Sequence, residues 1–579
     1  MAFENAEAPC NEHEASQESG SLSKPDTNNV NGMVPGVKAS GAPPLSTQSD
    51  VLTADQATDA PAPAKPCIKL IDGMLPEVVD QCEALLMRPG LPTEYGVYQR
   101  AGQLVRISTV PTAGSTDGVQ RQEGATTTRP VDQVFLRDTL NRLGRFERFD
   151  QRMDRFKAVD VPKPVAETLL ARQGMWRFPV LRGVITCPTL RADGSLLSQR
   201  GYDPASGYYV ASELTVTVSE RPTLNHAVDA LNALKELLRE FPFVSVVDLA
   251  VALAFLLTCI VRSALDNVPL FGFSAPVRGS GKSTLAELGA IFATGRMAAV
   301  VAATSDPDEL RKRLESSLLA GDTLVSLDNL NGVLHSDLLC QATTQAAVRV
   351  RPLGVSMQIE VPNTALFCVN GNNLSISGDL ARRTLMCRLD PRCERPEERK
   401  FTGNPAREAL ENRAAYVSAA LTVLRAFIFA APRLELSQFG SFDGWSRLVR
   451  SALVWAGEAD PCDSRMVIMA EDPELVALAA VLTAWFGKFG IRAVTVQQVL
   501  AEAAHEGDSD LAASVEAVAT VRGRIDAQRF GLWCRRNMGR IAGGYKLERA
   551  NLPGASAYWR VVSDAAGVAP AAGAATPDF

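Results

Sequence analysis

The residues with the clearest capacity for chemistry are Pro276-Val277-Arg278-Gly279-Ser280-Gly281-Lys282-Ser283-Thr284. Gly279 and Gly281 let the backbone wrap closely around phosphate oxygens with its N–H groups pointing inward. A helix starting near Lys282 aims its positive dipole end at the same anion. In this arrangement Lys282 reaches the β- and γ-phosphates of ATP and Ser283 gives its hydroxyl to Mg2+, with Arg278, Ser280 and Thr284 completing the cradle. The spacing is GxxxxGK[ST] with Pro276 at the first glycine. Proline fixes φ, which is tolerable ahead of the tight part of the loop.

A phosphate loop alone implies nucleotide binding; hydrolysis coupled to work needs further groups, and candidates follow in order. Leu324-Val325-Ser326-Leu327-Asp328 is an apolar strand ending in an acid that can hold Mg2+ through water. Asn329 stands next, where many such ATPases carry a catalytic glutamate. Either Asn329 orients the attacking water or the base lies elsewhere. Ala365-Leu366-Phe367-Cys368-Val369 is a second buried strand, ending in Asn370-Gly371-Asn372-Asn373. Asn370 or Asn372 is placed to position water, and turn chemistry accounts for the same residues. In Asp379-Leu380-Ala381-Arg382-Arg383, Arg382 or Arg383 suits a finger reaching a neighbouring subunit's nucleotide, or a surface pair with Asp379. Between the two strands, alternation puts Arg349 and Arg351 on one face of an expected hairpin and valines on the other. That suits a grip on a DNA backbone, and equally a plain structural hairpin.

These groups need a scaffold. An apolar strand (269–273) precedes the loop and a helix (284–292) follows it, as the chemistry requires. Upstream, 223–241 reads as an amphipathic helix with Leu231, Leu234, Leu237 and Leu238 on one face. Phe243 to Val261 carries a single charge, Asp248, and has the length of a short membrane span. A buried helix beside the sheet is the expected reading. Further upstream come a strand at 68–73, a helix at 75–87, a hairpin turning at Ala101-Gly102-Gln103, and a charged helical stretch over 132–157. That stretch reads as a solvated face or as a nucleic-acid stripe. A β-rich piece follows, with turns at Ala192-Asp193-Gly194 and Asp203-Pro204.

Near the C-terminus, Asp472-Pro473-Glu474 starts a helix, Thr495 to Gln498 has capping-box spacing, and 526–537 forms another helix. Two strands then flank a Pro-Gly turn. Helices followed by a hairpin predict a winged helix. Residues 521–560 carry nine basic side chains against two acids. Arg529, Arg535, Arg536 and Lys546 are the expected DNA contacts; a winged helix used for protein contacts is the alternative.

Composition bounds these readings. The chain has 579 residues, 46% hydrophobic and 21% charged, which suits a multi-domain globular protein. Its net charge of −6 is matched by residues 1–66 alone, where nine acids face three lysines. The rest is neutral, so any nucleic-acid site is a local patch. Residues 1–66 and 564–579 are low in aromatics and expected to be disordered. Eleven cysteines without a CxxC pair and only four histidines argue against zinc and for reduced thiols in a cytoplasmic protein. The N-terminus lacks the features of a signal peptide.

The order GSGKST, LVSLDN, FCVNGNN, DLARR resembles the ATPase core of phage and plasmid primase-helicase proteins, akin to superfamily 3 helicases within the AAA+ group. RFPVLRGVITCPTLRADGSLLSQRGYDP is similar to the region preceding the ATPase in phage and prophage replication proteins. The resemblance covers roughly Ile68 to Arg560, and Pro276 and Asn329 depart from its pattern. It implies ATP and Mg2+ handled by Lys282, Ser283 and Asp328, a sensor asparagine in NGNN, and Arg382 or Arg383 as the finger. It also implies a hexameric ring moving on DNA, alongside other replication proteins.

The expected architecture is α/β: an α+β N-terminal domain (67–222), a P-loop AAA+-like core (223–435), a helical linker (436–490) and a winged helix (491–563). The expected function is an ATP-dependent DNA motor in the cytoplasm of a bacterial cell, encoded by a mobile element, without membrane attachment. An ATP-switched initiator or regulator is the second class. A packaging ATPase with a fused nuclease ranks last, since no acid cluster follows residue 400. Primase activity lacks support, because the acid pairs Asp306/Asp308 and Asp508/Asp510 do not end apolar strands.

Overall fold

Three near-continuous apolar runs, LFGF, LVSL and LFCV, mark strands covered on both faces, as in a parallel sheet. The computed structural model describes residues 65–563 except 113, 117–118, 303, 305, 331, 353–357, 400–401, 506–508, 522–523 and 553–556. The expected disorder of 1–66 (apart from 65 and 66) and 564–579, the tip of the 347–361 hairpin and the Pro553-Gly554 turn lie outside the described residues. The chain is a mixed α/β protein whose sheets and helices assemble around several hydrophobic cores.

The first elements are strand Cys67–Leu70 and helix Leu75–Leu86. A hairpin of Tyr98–Arg100 and Gln103–Thr109 turns through Ala101 (φ 53°) and Gly102 (φ 70°), the left-handed pair that a two-residue connection demands. The helix expected across 132–157 ends at Leu143, capped at its start by Asp132, which accepts from Phe135 N at 2.8 Å. Its second half is instead a hairpin, Arg145–Asp150 with Arg155–Val159. Pairing with Cys67–Leu70 gives Phe146 a buried place at 2% exposure, and that tertiary gain overrides the helical spacing of the charges.

Seven strands form the central sheet, in the order Thr384–Arg388, Leu270–Ala275, Leu366–Asn372, Leu324–Leu330, Ala299–Ala302, Val119–Arg121, Gly114–Thr116. The first five are parallel to one another, and the last two join antiparallel. Part of the segment expected as a separate N-terminal domain is thus built into this sheet. Arg121 holds it there through a bidentate pair with Asp322 at 2.9 and 2.6 Å, both side chains nearly buried.

On one face of the sheet lie helix Val246–Val261 and the phosphate-loop helix Lys282–Thr294. Phe255 packs on Phe271 and Phe273 with ring centroids 5.3 and 5.0 Å apart. Gly289 permits the two helices to touch, since a Cβ there would fall 2.3 Å from the Phe255 ring. The apolar 243–261 stretch is therefore a core helix in this fold, with Ala250 through Val261 buried. Its one charge, Asp248, sits in the first turn and accepts from Ser245 Oγ (2.6 Å) and Arg388 N (2.7 Å). Helix Pro307–Ala320 and the hairpin Ala347–Val350/Ile359–Pro362 cover the other face.

The C-terminal part has its own core, in which Trp485, Phe530, Cys534, Leu547 and Trp559 are buried. Helix Pro473–Phe489, expected in a linker, supplies Leu478, Val481, Leu482 and Trp485 to it. Helices Val496–Ala503, Ser509–Ala519 and Ala527–Arg536 follow. Beside them lies a four-stranded sheet that includes the hairpin Tyr545–Ala550/Tyr558–Ser563.

Candidate nucleotide-binding site

Strand Leu270–Ala275 delivers the chain to the loop, and helix Lys282–Thr294 carries it away. Gly279 and Gly281 adopt φ of 75° and 98°, a left-handed backbone that side-chain-bearing residues resist. A Cβ on Gly281 would also meet the Phe241 ring at 3.1 Å. Ser280 Oγ and Lys282 Nζ both donate to the Val277 carbonyl, at 2.7 and 2.9 Å. Lys282 is buried, and this desolvation lowers its pKa, partly opposed by the nearby negative charge of Asp328. A phosphate anion entering beside it reverses that penalty.

Ser283 Oγ donates to Asp328 Oδ1 at 3.4 Å, joining the phosphate helix to the acid-bearing strand. Strand Leu366–Asn372 runs between the strands of the loop and the acid, so its tip delivers Asn370 to the same place. Asn370 is 3% exposed, and its Oδ1 accepts from the Asn329 backbone N–H at 2.9 Å. That bond fixes the amide orientation, since only the oxygen can accept. Asn329 itself is exposed and sits at φ 56°.

Arg278 through Thr284, Asp328, Asn329, Asn370 and Asn372 all line one cavity of about 660 Å³. Sequence reasoning missed its far wall, which includes Phe241, Pro242, Arg399, Asn404 and Pro405. Arg399 donates to the Glu240 carbonyl at 3.0 Å and links the two sides of that wall. No spacing announces these residues; Phe241-Pro242 simply follows an amphipathic helix.

Among the described residues no group of three or more His, Cys, Asp or Glu side chains gathers. One hydroxyl and one carboxylate beside a phosphate loop fit Mg2+, which keeps most of its waters and takes phosphate oxygens as ligands.

The other expected site residues lie apart from this cavity. Arg382 and Arg383 both pair with Asp379, and Arg383 also donates to the Cys340 carbonyl. Arg349 and Arg351 are exposed on their hairpin, with Arg349 opposite Glu360 in the ladder. Arg529, Arg535 and Arg536 are exposed on helix Ala527–Arg536. Lys546 is half-buried and pairs with Glu548 at 2.9 Å, which also takes Arg560 at 3.0 Å.

No protein-family model matches the chain, and no curated protein matches it. Solved structures that align with it include the apo form of the NrS-1 C-terminal region, at 13% identity and TM-score 0.33, covering 75% of this chain and all of that one. The JCV helicase aligns at 14% identity and TM-score 0.20, over 46% of this chain and 72% of that one. The SCCmec type IV Cch, described as an active helicase, aligns at 11% identity and TM-score 0.28, over 79% and 86%. All three scores lie below 0.5.

Proposed function

We propose that this chain is an ATP-driven DNA motor, a replicative helicase of a phage, prophage or plasmid. The observation that carries the reading is the convergence of Lys282, Ser283, Asp328 and Asn370 on one cavity at the tips of parallel strands. In this reading the Lys282 ammonium exchanges the Val277 carbonyl for the β- and γ-phosphate oxygens, and the loop N–H groups hold the remaining phosphate charge. Ser283 and Asp328 would hold Mg2+, which supplies charge neutralisation on the phosphates when bound. With Asn370 Oδ1 committed to Asn329, its Nδ2 is the end that orients the attacking water.

Arg382 or Arg383 would leave Asp379 for the nucleotide of a neighbouring copy, in a hexameric ring. Residues 223–435 form the motor in this proposal, preceded by an N-terminal α+β domain (67–222) and linked through 436–490 to a winged helix (491–563). DNA contacts are Arg349 and Arg351 on the hairpin and Arg529, Arg535, Arg536 and Lys546 on the C-terminal module. The protein would work in the cytoplasm of the bacterial host, with other replication proteins. Displacement of a labelled strand from a forked duplex, dependent on ATP and lost in Lys282→Ala, tests the proposal.

A second reading is an ATP switch that assembles on DNA without unwinding it. Asn329 favours it, because no carboxylate follows Asp328. Tight ATP and DNA binding with negligible turnover would select it.

A further inference from the structure

The hairpin Arg145–Asp150/Arg155–Val159 has no part in the nucleotide cavity, and its surface is unusual. Past the Leu70–Arg148 pair the sheet narrows to two strands, with Arg155–Val159 at its edge. On that ribbon Phe149 and Phe156 face each other across the ladder, with centroids 5.4 Å apart and rings edge to face. They are 46% and 37% exposed, and Met153 at the turn is 56% exposed. Lys69 Nζ stands 4.5 Å from the Phe156 ring centre.

The ribbon carries an excess of cations. Lys69, Arg145, Arg148, Arg152, Arg155 and Lys157 outnumber Glu147, Asp150 and Asp154. Glu147 is taken by Arg145 at 2.7 Å, and Asp150 accepts backbone N–H groups of its own turn. Among the described residues Arg148, Arg152 and Lys157 form no ion pair. Lys69 shares the aromatic face, while Arg148 and Lys157 oppose each other on the reverse of the ribbon.

Exposed aromatic rings beside Lys69 and Arg152, which form no ion pair among the described residues, suit a chain of flat rings linked by phosphates. Paired bases keep their faces stacked inside a duplex, so the rings can meet only unpaired ones. We infer that this ribbon binds single-stranded nucleic acid, stacking bases on Phe149 and Phe156 with the backbone held by Lys69 on the same face and Arg152 at the turn. The site lies in a different sheet from the nucleotide cavity and needs no hydrolysis. It therefore stands or falls separately from the motor proposal.

The test uses the full chain and single-stranded oligonucleotides, DNA and RNA, carrying 5-iodouracil, which crosslinks to neighbouring aromatic rings under light. The crosslinked peptide should contain Phe149 or Phe156, in the wild type and equally in Lys282→Ala. Phe149→Leu with Phe156→Leu keeps the apolar bulk and removes the stacking faces. Single-strand affinity should fall about five-fold or more per ring, with duplex affinity and thermal unfolding unchanged. Lys69→Ala with Arg152→Ala should flatten the salt dependence of single-strand binding by roughly 0.7 for each phosphate left without its cation. Crosslinks confined to other peptides, or equal loss of duplex binding, would overturn the inference. Unchanged or tighter binding by the ring variants would do so too.

Discussion

Asn370→Ala separates a structural asparagine from one that handles water. The side chain is 3% exposed and its Oδ1 satisfies the Asn329 N–H at 2.9 Å. Truncation leaves that donor without its partner, at a cost of about 1–3 kcal/mol. It also removes the Nδ2 that would orient water, and losing one preorganised group of this kind costs roughly 10²–10³ in kcat. Asn370→Asp divides the two effects. A carboxylate still accepts from Asn329 N–H, yet the amide donor is gone, and burying its charge in the cavity that holds Asp328 has a stability cost of its own. The expected outcome is a strong fall in kcat per folded enzyme for both variants, with both easier to unfold in urea and ATP affinity little changed in the alanine variant. Turnover of Asn370→Asp within about three-fold of wild type would refute the water-positioning role, the expected loss being roughly 10²–10³.

Three further outcomes follow from local geometry. Arg121→Ala strands the nearly buried Asp322 carboxylate and should lower unfolding free energy by about 3–5 kcal/mol, whereas Arg121→Met with Asp322→Leu should cost far less; equal losses would contradict this. Asp203 is held down to about 2 by hydrogen bonds from Arg191 and then Ser206. Its folded pKa lies below the unfolded value of about 3.9, so its contribution is complete above that pH and is lost as pH falls toward 2. The stability gap between wild type and Asp203→Asn should therefore close over that window in acid unfolding. Alanine at Arg529, Arg535 and Arg536 should reduce the slope of log K against log salt for duplex DNA by about 0.9 for each phosphate left without its cation, measured by anisotropy; an unchanged slope removes that helix from the interface.

Much of the scaffold is legible because local signals agree with the tertiary result. The helices starting at Asp472, Thr495 and Asp526 carry their own caps, and the apolar runs of the central strands have no other way to be buried. The phosphate loop is legible because its glycines and Lys282 stand together in sequence. The 145–157 hairpin is not, since Phe146 and Phe149 are three apart and fit a helix as well as a strand; only pairing with Cys67–Leu70 decides. Strand Val119–Arg121 is short and polar, and the sequence separation of 201 between Arg121 and Asp322 hides the pair that anchors it. The Phe241, Arg399 and Asn404 wall was hidden for the same reason: the fold assembles it from distant segments.

The most direct measurement is steady-state ATP turnover with and without single-stranded and duplex DNA, with Lys282→Ala as control. The motor account predicts turnover that DNA stimulates and that the variant loses. Tight binding of ATP and DNA with negligible turnover in the wild type would contradict it.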